Sequence, residues 1–171
     1  AQCLVGSEMC IRDRQKCLPD AEFVTTGLNE KPLFLRENID MVYMCSMSEK
    51  SQELVLDRLM QYKDEIAACM KDGKALFLLV GNSMELLGDY IKREDGTRVT
   101  GLGVVPGMYS VRQAPNRFNT LIKAKFNDMT LIGYTSRFAH TYGIPEDMTF
   151  CKVEIGQGSN PDTMNEGICK N

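Results

Sequence analysis

The sequence has one histidine, no Cys-x-x-Cys pair, no excess of basic residues and no long apolar run. Each absence removes a class of function. One histidine leaves too few imidazoles for a His-rich zinc site, and the seven cysteines, at 3, 10, 17, 45, 69, 151 and 169, lack zinc-ligand spacing. No metal or cofactor is therefore expected. A net charge of −3 gives no basic face of the kind nucleic acids need. No apolar stretch reaches the roughly 18 residues of a membrane span. No cationic start precedes a continuous apolar region near residue 1, so no signal peptide is read there. The cysteines are odd in number and scattered. Cys69 and Cys151 sit in apolar segments as small core residues, and the set points to a reducing cytoplasm.

What is present suits one soluble domain. The 171 residues can bury a real core, and 43% of them are hydrophobic. The stretch "CLVGSEMCIRDR" (3–14) has neither helical nor strand period and resembles a translated sequencing-adapter read. Residues 1–14 are accordingly expected to be a non-native segment, and 15–171 a single α/β domain. "AEFVTTGL" (21–28) and, more firmly, "IDMVYM" (39–44) read as strands. Ser48 is a candidate N-cap for a helix over 49–71, in which Val55, Leu59, Tyr62, Ile66 and Cys69 share one face. Gly73 supplies the stop. "ALFLLV" (75–80) reads as a strand covered on both faces, which completes a β-α-β unit with parallel strands.

A short helix is expected over 83–92, and "GLGVV" (101–105) reads as a strand. Residues 119–126 and 129–136 form a predicted hairpin turning at Asn127-Asp128. "MTFCKVEI" (148–155) is a further strand, 156–167 a loop, and "GICKN" the start of a strand that is cut off. The expected architecture is an open, mostly parallel sheet flanked by helices, with added antiparallel strands in the C-terminal half.

Ligands of open α/β sheets bind beyond the carboxyl ends of the strands. Two such ends are Met44–Met47 and Val80–Ser83, with Cys45, Ser46, Met47, Gly81, Asn82 and Ser83 as the candidate ligand-binding residues. Side by side, their backbone N–H groups can converge on an anion or a carbonyl oxygen. Gly81 offers no reactive atom at the tip. Gly-x-Ser makes Ser83 a possible nucleophile, although a helix-capping serine is the simpler reading, and Glu85 stands where a hydrolase elbow has glycine. Cys45 is a second possible nucleophile. His140 is either a packing residue or a base within reach of one of these. Arg137 is either solvated or pairs with a substrate carboxylate.

The segment "DMVYMCSMSEKSQELVLDRLMQYKDEIAACMKDGKALFLLVGNSMELLGDYIKREDGTRVTGLGVV", with "LIGY" and "GQGSNPDTMNEGI", resembles the class I glutamine amidotransferase domain of the cobyric acid synthase type, named for cobalamin biosynthesis. Within it the nearest branch is the small subunit of lipid II isoglutaminyl synthase, which serves peptidoglycan. The resemblance spans about 21–171 and implies a flavodoxin-like amidotransferase fold. In that family the elbow reads C-G-G-Y-Q-L-L-G, and its cysteine attacks the glutamine amide. The shared "LLG" puts Gly81 on that cysteine, Asn82 and Ser83 on the two glycines, and Glu85 on the glutamine. The oxyanion-side triple glycine falls on Cys45-Ser46-Met47, and Arg137 and His140 fall in the "H-x-G-R" substrate-contact region. The catalytic histidine of a "TYLHGP"-like stretch lies beyond the end of this chain, which is expected to be truncated at its C-terminus. The resemblance implies an amidotransferase-like domain that has lost glutaminase activity. It would bind glutamine or another small molecule and serve as a binding or regulatory subunit beside a Mur-ligase-like partner. The alternative is an active amidotransferase or hydrolase using Ser83 or Cys45.

Overall fold

The computed structural model describes residues 2–3, 8–113 and 117–170. The chain is of α/β class and divides into two compact units, Ala1–Leu86 and Leu87–Asn171. Among the described residues no helix is long and apolar enough to cross a membrane.

The first unit carries strand β1 (Gln2–Cys3), helix α1 (Glu8–Cys17), β2 (Val24–Thr25), β3 (Met41–Met44), α2 (Glu49–Met60), α3 (Lys63–Asp72) and β4 (Leu76–Leu79). Its sheet has the order β2-β1-β3-β4 and all its pairs are parallel. The predicted parallel pair is present, with Met41 opposite Leu76 and Met44 opposite Leu79. Val42, Met44, Val55, Leu56, Leu59 and Ile66 are buried. Each such side chain contributes roughly 1.5–3 kcal/mol.

Several expected elements differ. The single helix over 49–71 is two helices, because Tyr62 leaves helical geometry at φ −111°, ψ 13°. The Tyr62 ring lies 5.5 Å from the Lys31 ammonium. The strand expected over 21–28 shrinks to Val24–Thr25. The helix expected over 83–92 is a 3₁₀ turn, Gly81–Leu87, followed by strand β5 (Tyr90–Lys92). The switch falls at Gly88, where an added Cβ would meet the Met108 carbonyl at 2.7 Å. Residues 2–3 and 8–14, where no period is legible, lie in β1 and α1.

The second unit continues with β6 (Arg98–Thr100), β7 (Tyr109–Arg112), β8 (Phe118–Phe126), β9 (Met129–Arg137), β10 (Ala139–Tyr142), β11 (Thr149–Ile155) and β12 (Asn165–Ile168). These strands and β5 form two sheets, β10-β7-β5-β6 and β12-β11-β8-β9. The first is mixed, with β5 and β7 parallel, and the second is antiparallel throughout. The mostly parallel sheet of the sequence reading is therefore confined to the first unit. The 119–126/129–136 hairpin forms as expected, and so does the strand near 148–155. "GLGVV" is not a strand: Gly101, Gly103 and Val105 donate instead to the Asp89, Gly88 and Leu87 carbonyls. The expected 156–167 loop ends inside β12.

Candidate functional site

The two turns beyond β3 and β4 meet, as parallel pairing requires. Val80 N–H donates to the Met44 carbonyl at 2.9 Å. The Ser83 hydroxyl donates to the Met44 carbonyl at 3.0 Å and the Val80 carbonyl at 2.8 Å. Ser83 is 0% exposed, so it pins the turns together and has no face toward a substrate.

Gly81 opens the 3₁₀ turn at φ +63°, in the left-handed region that glycine enters without a Cβ penalty. A Cβ built on Gly81 would stand 2.8 Å from the Ser46 Cβ. The two backbones thus approach closely enough for one side chain only, and Ser46 supplies it. Ser46 is exposed.

Asn82 spans the gap between the turns with its amide. Met47 N–H donates to Asn82 Oδ1 at 2.9 Å, and Asn82 Nδ2 donates back to the Met47 carbonyl at 2.8 Å. This two-point pairing uses one of the backbone donors that the sequence assigned to an oxyanion. Gln52, 0% exposed on α2, donates to the Asn82 carbonyl at 2.7 Å and to Glu85 Oε2 at 2.9 Å. Sequence reasoning missed Gln52. Its signal was available, since it sits three residues before Val55 on the apolar stripe, where a polar side chain must find a buried partner. Cys45 is also 0% exposed and packs with Tyr43 and Leu78. Burial, then a hydrogen bond with Cys45, pushes the Tyr43 phenol up from its ordinary pKa.

Arg137 and His140 belong to the second unit. Arg137 Nη1 is 3.1 Å from Glu166 Oε2, and Nη2 donates to the Gly158 carbonyl. Its guanidinium lies 5.3 Å from the Phe118 ring. It is thus held by protein partners. His140 lies on β10 opposite Val111, is 8% exposed, and meets Phe118 edge-on at 5.5 Å. Burial, and then the Arg137 charge, hold its pKa below the ordinary value, against a smaller opposing pull from Asp162. Nearby, Asn160 Nδ2 donates to the Thr141 carbonyl at 2.6 Å and tethers the 156–164 loop. Among the described residues, no group of three or more His, Cys, Asp and Glu side chains stands ready for a metal ion.

No protein-family model matches the chain. Among curated proteins, it is similar to the lipid II isoglutaminyl synthase (glutamine-hydrolyzing) subunit GatD of Streptococcus pneumoniae (strain ATCC BAA-255 / R6). The two are 26% identical over 137 residues, covering 79% of this chain and 52% of that protein. The chain thus spans about half the length of the curated relative it matches.

Proposed function

We propose that this chain is a glutamine amidotransferase-like subunit of lipid II amidation that has lost glutaminase chemistry. In this reading its first unit keeps the flavodoxin-like arrangement of a class I amidotransferase domain of the cobyric acid synthase type. The chain acts beside a Mur-ligase-like synthetase subunit, in a reducing cytoplasm, as a binding or regulatory component. The turns Cys45-Ser46-Met47 and Gly81-Asn82-Ser83 bound the place where glutamine or a related small amide would sit, with Ser46 and Gly81 on its exposed side and Cys45 and Ser83 buried behind it.

The observation that carries this reading is the vacancy at Gly81. The corner has the left-handed geometry of an elbow, but the Ser46 Cβ takes the space a side chain there would need. Nucleophilic catalysis requires an activated atom at that apex. The alternative of an active enzyme using Ser83 or Cys45 meets the burial of both residues. Similarity to GatD supports the subunit role.

Ammonia release from glutamine by the purified chain, with and without a Mur-ligase-like subunit, tests the proposal. The expected result is no release above the uncatalysed rate. Release that disappears on Ser83→Ala or Cys45→Ala would establish the active-enzyme alternative.

A further inference from the structure

Among the described residues, strand β9 is an edge of the antiparallel sheet β12-β11-β8-β9. It runs for nine residues, Met129–Arg137, in unbroken register with β8. Edge strands are ordinarily blunted by lysine, proline, a bulge or shortness. β9 has no lysine, no proline and no bulge, and residues 129–136 carry no charge. Arg137, at its end, is occupied by Glu166. The opposite edge, β12, is four residues long. Ile132 and Tyr134 are 82% and 63% exposed, beside Leu121 at 70%.

The backbone pattern fixes the register that an added strand must take. A two-residue turn, Asn127-Asp128, joins β8 to β9, so its closing pair, Phe126 and Met129, is a hydrogen-bonded pair. Alternation then directs the odd-numbered residues of β9 toward β8. Thr130, Ile132, Tyr134 and Ser136 turn their N–H and C=O groups outward.

We propose that β9 is the pairing edge for a second copy of this chain, joined antiparallel about a two-fold axis at Gly133. Gly133 is the midpoint of Met129–Arg137, so this axis gives full overlap of the two strands. It places Ile132 opposite Tyr134 of the second copy, and Thr130 opposite Ser136. Outward-facing backbone groups therefore meet only outward-facing ones, and each exposed side chain meets one from the same face. The isologous contact forms two aromatic–β-branched pairs, a favourable cross-strand combination. No like charges face each other, since Arg137 falls opposite Met129. The two sheets become one continuous sheet. This inference does not depend on the proposed function.

Sedimentation of the full chain over micromolar to millimolar concentrations tests it. The expected result is a mass that rises with concentration from 19.2 kDa to twice that value. Ile132→Lys places a charge at the paired edge. Thr130→Pro removes one outward N–H, a change that a free edge strand tolerates. Each should weaken self-association by at least about tenfold with the circular dichroism unchanged. Leu121→Lys, one strand inward on the same face, should leave it intact. Amide exchange on the unaltered chain provides a readout that needs no variant: protection of Ile132 and Tyr134 should grow with concentration. A monomer at every concentration overturns the proposal. So does a dimer indifferent to both edge variants, a dimer lost on Leu121→Lys alone, or association seen only with a Mur-ligase-like subunit.

Discussion

At Gly81 and Ser46 one side chain has room and two do not. Gly81→Cys puts a Cβ at φ +63° and 2.8 Å from the Ser46 Cβ. Both penalties act together, so a loss of about 2–4 kcal/mol in urea-unfolding free energy is expected. Ser46→Gly in the same chain should return about 1–2 kcal/mol of it, and a double-mutant cycle measures that coupling. Additive effects would show that the two sites do not share the space. His140 supports a different prediction. Its folded-state pKa lies below the ordinary 6.5, so the unfolded chain takes up the proton first. Its contribution to stability is complete above about pH 6.5 and is lost as pH falls through the folded-state pKa. His140→Gln should narrow the difference between urea midpoints measured at about pH 7.5 and about pH 5.5. An undiminished difference would assign the acid sensitivity to other groups.

Helix α2 starts where its cap directs it. Ser48 Oγ accepts the Ser51 N–H at 3.1 Å, with Glu49 in the first turn favouring the positive end of the helix. Ser48→Ala should cost about 1 kcal/mol, read from thermal or urea unfolding. The consequence extends past the helix. α2 also carries Gln52, which holds Asn82 and Glu85 from the other side of the turn pair. Fraying of the first turn should therefore raise amide exchange at Met47, whose N–H is held by Asn82. Exchange unchanged at Met47 would separate the cap from the clamp.

Across the whole molecule, a thiol placed at position 81 does not by itself make a mechanism. Acyl transfer needs nucleophile, base and oxyanion donors in one geometry. In this chain the sole histidine is buried on β10 of the second unit against Phe118, with its proton affinity lowered. One Met47 donor is already satisfied by Asn82. The Gly81→Cys, Ser46→Gly double variant should therefore expose an alkylatable thiol and still release no ammonia from glutamine. Turnover by that variant would mean that these two substitutions alone separate this chain from activity.

Local pattern was enough for much of this. Uninterrupted apolar runs marked β3 and β4, the apolar stripe marked the α2–α3 region, and alternation around Asn127-Asp128 marked the β8–β9 hairpin. These are short-range preferences of backbone and side chain, written in spacing. The meeting of 45–47 with 81–83 also followed from parallel strands, and the lack of a side chain at Gly81 was visible in one letter. The helix break at Tyr62 and the absence of a strand at 101–105 were not visible. The 101–105 segment is held by hydrogen bonds to residues 87–89, and the break at Tyr62 is a local change of backbone angles that the unbroken apolar stripe does not signal. The partners of Asn82, Gln52 and Ser83 were also hidden, although the burial of Gln52 was legible from the apolar stripe, because the spacing of letters does not say which buried donor will face which carbonyl. The sequence by itself determined that the turn after β4 begins with a glycine, which brings no side chain. Only the tertiary structure decided that the space is already filled, because the Ser46 side chain arrives there from a turn thirty-odd positions away, and contact distance is not a property of sequence.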